Sequence, residues 1–260
     1  MALNLQRMKL PVIEGLLIDG DRPERHMLAL TQDGITIGEA TPTTSTETIP
    51  GRTGLLDVTL GDESGAAYAG MREITLSLYV AGGEDDIIAA KQWLGNLNGR
   101  NTTIQWRTLP GEYRGRLSVG AWVDTWIRDR LSHSIVKATL TAMPCLYGRP
   151  VGKTLAEGPT AINVKGNRPC WPVWSLTPKT GAKTVTISDS HGHSLTVNAA
   201  QTLSGQIAIT SSPSGREVRI NGNLRTPTLE SDYFPLLPGA NTIRLTNCAG
   251  HVTYEPLTMI

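Results

Sequence analysis

The residues with the clearest capacity for chemistry sit in the C-terminal half of the chain. His191-Gly192-His193, between Asp189 and Ser194, could offer two imidazoles to a metal. Two histidines flanking a glycine between strands also describe a solvated turn, and the other ligands a zinc site needs are missing nearby. Cys145, Cys170 and Cys248 are too few and too widely spaced to supply them. Their odd number leaves at least one free thiol, which fits folding in a reducing cytoplasm. Nucleophilic catalysis by serine would need a strained Gly-x-Ser-x-Gly elbow, and that pattern is absent. Acidic pairs are scattered with no reason to converge. Neither Gly-x-Gly-x-x-Gly nor a glycine-rich turn before a helix is present to cradle phosphates. The residues predict no enzyme, no cofactor and no metal.

The elements that would carry any site are mostly strands. At 260 residues the chain can bury the core of one large β domain or two ordinary ones. Its 27 glycines and 16 prolines suit many turns between short strands. With one Phe against six Trp and six Tyr, the cores must be largely aliphatic. A net charge of +1 with no basic stripe argues against stable binding to nucleic acid. No run approaches the roughly 20 apolar residues of a membrane helix. Leu3, Leu5 and Leu10 are interrupted by Asn4, Gln6, Arg7 and Lys9, so no signal-peptide core is expected.

Ile49 to Leu60 reads as a tight polar turn followed by a strand with Leu56, Val58 and Leu60 on one face. In the next strand Ile74, Leu76, Leu78 and Val80 alternate with Thr75, Ser77 and Tyr79, the period of a half-buried antiparallel strand. Residues 1–37 read as irregular, with turns at Asp19-Gly20 and Gln32-Asp33-Gly34. The Thr-rich stretch from Gly38 to Thr48 cannot bury enough surface to hold itself in place, so it is a mobile loop or an arm ordered by a neighbour. Ile87, Ala90, Leu94 and Leu97 recur at helical spacing, and acidic residues occupy the first turn, so residues 84–97 are the one predicted helix. Asn98-Gly99 stops it. After a short strand from Thr103 to Arg107, a long one from Tyr113 to Ile127 is expected. Leu117, Val119, Ala121 and Val123 form one of its faces, and Trp122 and Trp126 lie on the other. Such a sheet needs a cover on both faces, one the helix and the other a neighbouring subunit. Ser134 to Ala142 closes the set.

Pro144 to Gly158 reads as a linker, and beyond it seven short apolar stretches spaced by turns predict an antiparallel β-sandwich or jelly roll. Asn221-Gly222 is a hairpin signal within it. The expected domains are 1–148, with a polar arm near 38–53, a linker at 149–158, and a sandwich at 159–260.

Several of these features together resemble a known family. The loop ending Ile49-Pro50-Gly51-Arg52-Thr53-Gly54, the paired strands, the helix and the Tyr113-Arg114-Gly115-Arg116-Leu117 strand form the first group. Arg219-Ile220-Asn221-Gly222, Tyr233-Phe234-Pro235-Leu236 and Pro238-Gly239-Ala240-Asn241-Thr242-Ile243 form the second. In this order and spacing they resemble the distal tail protein of long-tailed (siphovirus-type) bacteriophages. The resemblance implies a mainly β protein: an N-terminal β-sandwich or split barrel with one helix, then a galectin-like β-sandwich. It also implies a structural role in the virion tail tip, after synthesis in the host bacterial cytoplasm. There the N-terminal domain forms a hexameric ring that joins the tail tube protein to the tail hub and lines the DNA channel, with DNA only in transit and no membrane insertion. Arg52 and Arg116 fall on family motif positions, either as charged contacts between or within ring subunits, or as residues that cap a turn or pair with a nearby carboxylate. Trp122 and Trp126 are the expected apolar part of the ring contact. A galectin-like domain also admits an alternative, a carbohydrate-binding adhesin that stacks a sugar on Trp171 or Trp174. The Pro-Cys-Trp-Pro setting of Trp171 equally suits closure of the sandwich end.

Overall fold

Alternation of apolar and polar residues builds almost every element of the computed structural model, which describes residues 15–260. The reading of Leu3, Leu5 and Leu10 lies outside the described residues. The chain divides into two units, one running to Leu60 and resuming over Ala67–Leu146, the other comprising Gly61–Ala66 and Tyr147–Ile260.

The first unit contains β1 (Leu17–Ile18), β2 (Leu28–Ile37), β3 (Thr46–Thr48), β4 (Leu55–Asp57), β5 (Arg72–Ala81), α1 (Glu84–Leu97), β6 (Asn101–Gln105), β7 (Tyr113–Val119), β8 (Val123–Ile127) and β9 (Arg130–Ala142). Its main sheet has the order β1-β6-β7-β9-β5-β2, with β8 paired to β9. Ile74, Leu76, Leu78 and Val80 of β5 are fully buried, and Val136, Ala138, Leu140 and Ala142 of β9 face the same way. Onto this surface α1 lays Ile87, Ala90, Leu94 and Leu97, the stripe that its spacing predicts. Ile87, Leu94 and Leu97 each contribute about 1.5–3 kcal/mol by burial and Ala90 about 0.8 kcal/mol, which is what fixes a helix too short to persist alone. The Asp86 carboxylate accepts a hydrogen bond from the Gly83 amide at 3.1 Å and so closes the helix start.

Three expectations for this unit need correction. Residues 17–37 are not irregular, because β1 pairs with β6 and β2 pairs with β5. Gln32-Asp33-Gly34 is not a turn between elements. It lies inside β2, where the register shifts between Leu30 and Ile35, and Gly34 takes φ +63° in that irregularity. The Leu56, Val58, Leu60 stretch is not a half-buried strand. Only Leu55–Asp57 is a strand, it pairs with β3 alone, and Leu60 is 78% exposed. Asp19-Gly20 is a turn, with φ of 53° and 79°.

The second unit packs two sheets face to face. Into it leads β10 (Leu146–Tyr147), followed by β11 (Val151–Leu155), β12 (Gly158–Val164), β13 (Val173–Pro178), β14 (Thr184–Ser188), β15 (Ser194–Asn198), β16 (Ile207–Thr210), β17 (Glu217–Ile220), β18 (Asn223–Arg225), β19 (Gly239–Thr246), β20 (Cys248–Tyr254) and β21 (Leu257–Thr258). One sheet runs β11-β20-β13-β16-β17-β18 and the other β12-β19-β14-β15. Inward residues of both sheets, among them Trp174, Leu176, Ile209, Val252, Ile187, Val197 and Ile243, form one apolar core. All seven apolar stretches of the sequence are strands here. The stretch read as a linker is not one: Val151–Leu155 pairs with Cys248–Tyr254 along its whole length. Four of its five residues are exposed, so an edge strand without an apolar face looks like linker in sequence. Asn221 and Gly222 adopt φ of 50° and 81° and join β17 to β18 as the hairpin signal requires.

Candidate assembly surface

The geometry of the first sheet turns on one extra residue. Val119 pairs with Ala138, but Val123 pairs with Ile135, so the register moves by one across Gly120–Trp122. Gly120 donates its amide to the Lys137 carbonyl at 2.9 Å, and a Cβ at that position would stand 3.0 Å from the same oxygen. The bulge reverses the facing of every later side chain in the strand. The sequence places Val123 with Leu117 and the two tryptophans opposite; the structure does the reverse. Trp122 lies on the helix side, packs against the core, and carries the Lys91 ammonium 5.4 Å from its ring centre. Lys91 in turn binds Asp124 at 2.6 Å, and Asp124 accepts a hydrogen bond from buried Ser134, also at 2.6 Å. These bonds hold the Asp124 carboxyl below its usual range. Trp126 pairs with Leu131 across the hairpin and is exposed.

Trp122→Ala should therefore lower the stability of the protein by about 2 kcal/mol, through lost packing and a lost cation–π contact. Urea unfolding measures this directly, and an unchanged midpoint would contradict the packing.

The bulge turns Val123, Thr125 and Ile127 to the helix-free face, beside Ile135 of β9. Val123 is 62% exposed, Ile127 57% and Ile135 36%. Register carries the row onward from Val123 to Ile135, to Tyr79 and to Ala29, across β8, β9, β5 and β2. His133 leans on the Tyr79 ring at 5.3 Å. Farther along the same sheet a groove of about 810 Å³ opens over β6, β7 and β9, between Met71, Arg114, Arg116 and Met143. These branched aliphatic residues in solvent make the helix-free sheet face the candidate surface for association.

The four residues expected at an interface are not brought together. Arg116 donates a hydrogen bond to the Gly99 carbonyl just past α1, which is the capping geometry, and it also borders the groove. Arg52 lies in the exposed turn between β3 and β4, where its amide bonds the Ile49 carbonyl at 3.1 Å. Val123 and Ile127 escape the sequence reading because a one-residue bulge leaves no mark in alternation except the glycine at 120, whereas Ile135 stands opposite Val136 and Ala138 as the alternation of β9 requires.

In the second unit the sequence-nominated residues do structural work. Trp174 is buried and donates its indole N–H to Ser211 Oγ at 3.2 Å, so it cannot stack on a sugar. Trp171 is half-buried under the Arg216 guanidinium, 5.6 Å from its ring centre. His191 and His193 turn back onto Asp189. Its carboxylate accepts both of their backbone amides, at 2.9 and 2.8 Å, and lies 2.8 Å from His193 Nδ1. Among the described residues no cluster of His, Cys, Asp or Glu is arranged to hold a metal. Burial alone would raise the Asp189 carboxyl, but the bonds from His193 and the two amides outweigh it and hold it below its ordinary 3.8. A depressed carboxyl adds stability above its unfolded value and loses it as pH falls through the folded one. Asp189→Asn should cost about 1–2 kcal/mol at pH 7, and the difference from the parent should shrink by pH 3. A gap in urea midpoints that persists unchanged at pH 3 would contradict this.

No helix among the described residues is long and apolar enough to cross a membrane.

Comparison with known proteins adds to this geometry. Residues 165–257 match the model of the siphovirus-type tail component, C-terminal domain. No curated protein matches the chain in sequence. Among solved structures, the Dit protein of phage SPP1, described as a paradigm of the hub adsorption apparatus in phages infecting Gram-positive bacteria, superposes with TM-score 0.67 at 16% identity, covering 94% of this chain and 98% of that one. The baseplate of phage P2 matches at 9% identity over 87% of this chain and 91% of that chain, with a TM-score of 0.40, too low to carry a fold assignment. Over residues 165–257 the chain is thus similar to the siphovirus-type tail component, C-terminal domain, and as a whole it has the mainly β fold of the SPP1 Dit protein.

Proposed function

We propose that this chain is a structural protein of a phage tail tip. Copies of the first unit close side by side into a ring, the hexamer of the distal tail proteins, which joins the tail tube to the hub and encircles the path of the DNA. The observation that carries the proposal is the helix-free sheet face, where Val123, Ile127 and Ile135 lie in solvent on a fold shared with the SPP1 Dit protein over 94% of the chain. A ring requires a heterologous contact, one patch of each copy meeting a different patch of the next. The ribbon of β3 and β4 supplies a second patch. It pairs only with itself, exposes Leu55, and is the kind of two-stranded hairpin that is marginal alone. Seated on a neighbour, it becomes the arm that the Thr-rich stretch suggests. The near-neutral chain suits a conduit, because each basic phosphate contact would retain passing DNA. Assembly of this kind places the protein in the virion. Sedimentation equilibrium of the purified protein tests the proposal: the expected mass is a closed multiple of 28.0 kDa. A 28.0 kDa monomer at every concentration overturns it.

A further inference from the structure

A cleft in the second unit has no part in this assembly. It has a volume of about 450 Å³ and lies between the loop that follows β15 and the β17–β18 hairpin. That volume falls in the range of small-ligand sites. Asn221 builds it. The Asn221 side chain accepts the Gln206 amide at 3.1 Å and donates to the Ser204 carbonyl at 3.0 Å, so the loop is clamped to the hairpin before any ligand arrives. A clamped loop spares a ligand the entropic cost of ordering it.

The lining divides by chemistry. Ala199 and Ile220 pack against the sandwich core and give the cleft an apolar floor. Asn198, Gln201, Thr202, Ser204, Asn223 and Arg225 supply amides, hydroxyls and a guanidinium. Arg225 is the single charged group in the lining, and no carboxylate opposes it. Amides both donate and accept, so they pair with hydroxyls whichever way these point. A guanidinium fits the two oxygens of a carboxylate or phosphate. We infer that this cleft binds an acidic saccharide, whose C–H face covers Ala199 and Ile220, whose hydroxyls meet the amides, and whose anionic group pairs with Arg225. Neither Trp171 nor Trp174 takes part, and the inference holds whether or not the first unit forms a ring.

Saturation-transfer NMR on the full-length protein tests this with hyaluronan tetrasaccharide, neutral chitotetraose and inorganic phosphate as probes. The expected result is saturation transfer to the hyaluronan tetrasaccharide, with weaker binding of chitotetraose. Arg225→Gln should weaken the hyaluronan tetrasaccharide about tenfold, the scale of one charge-assisted hydrogen bond. Asn198→Ala combined with Gln201→Ala should weaken both saccharides. All three positions are exposed, so an unchanged thermal transition verifies that the variants are folded. Absence of transfer to either saccharide overturns the inference. So does transfer that survives both sets of substitutions. Phosphate that binds as tightly as the hyaluronan tetrasaccharide reduces the cleft to a bare anion site and also overturns it.

Discussion

Val123→Asp combined with Ile135→Asp should turn the assembled protein into monomers of 28.0 kDa without unfolding it. The two side chains are paired neighbours on β8 and β9, on the face away from α1, and neither belongs to the buried core. In the free chain the carboxylates would sit in water, where their repulsion across the paired strands and the poor strand propensity of Asp should cost about 1 kcal/mol. In the ring each would be buried without a partner, at several kcal/mol per charge. Every interface of a closed ring carries the same pair, so the penalty repeats around it. Light scattering should show the drop in mass while circular dichroism keeps the β-rich signal of the folded chain. A variant that still assembles as the parent does would move the contact elsewhere on the molecule.

The second large effect concerns the fold itself. Gly115 lies in β7 opposite Ala142, and a Cβ built on it would come 2.2 Å from the Thr141 carbonyl oxygen and 2.6 Å from the Ala142 Cα. Both are backbone atoms of the central strand β9, so neither can rotate aside. Gly115→Val should force β7 away from β9 and lower stability by about 3–5 kcal/mol, the range of strong overpacking. Gly95 is the control. It is exposed in α1 with nothing within 4 Å of a built Cβ, so Gly95→Ala should raise stability by up to about 1 kcal/mol. Denaturant unfolding followed by circular dichroism reads both. A mild effect at Gly115 would mean that β7 and β9 approach less closely than their register requires.

Alternation and helical spacing made much of the fold legible. The fully buried residues of β5 and the α1 stripe from Ile87 to Leu97 stand where their periods put them. Elements that bury little were not legible. The edge strand Val151–Leu155 owes its place to backbone pairing with β20, and nothing in its side chains announces that. Leu55, Leu56 and Leu60 have the composition of a core strand, but the first two belong to an outlying ribbon and Leu60 lies exposed beyond it, because alternation reports amphipathicity and not what covers it. The candidate assembly surface is hidden for another reason. The long strand was read as unbroken, and the bulge at Gly120 exchanged the faces of Trp122 and Val123. The polar cleft by Arg225 is assembled from segments up to 27 positions apart, from Asn198 to Arg225, and shows no local motif.

Negative-stain electron microscopy of the purified full-length protein tests the central claim most directly. Closed six-fold rings with an open central bore are expected, lost in the Val123→Asp, Ile135→Asp variant. Particles without a bore, or isolated monomers at concentrations where the parent should assemble, would contradict it.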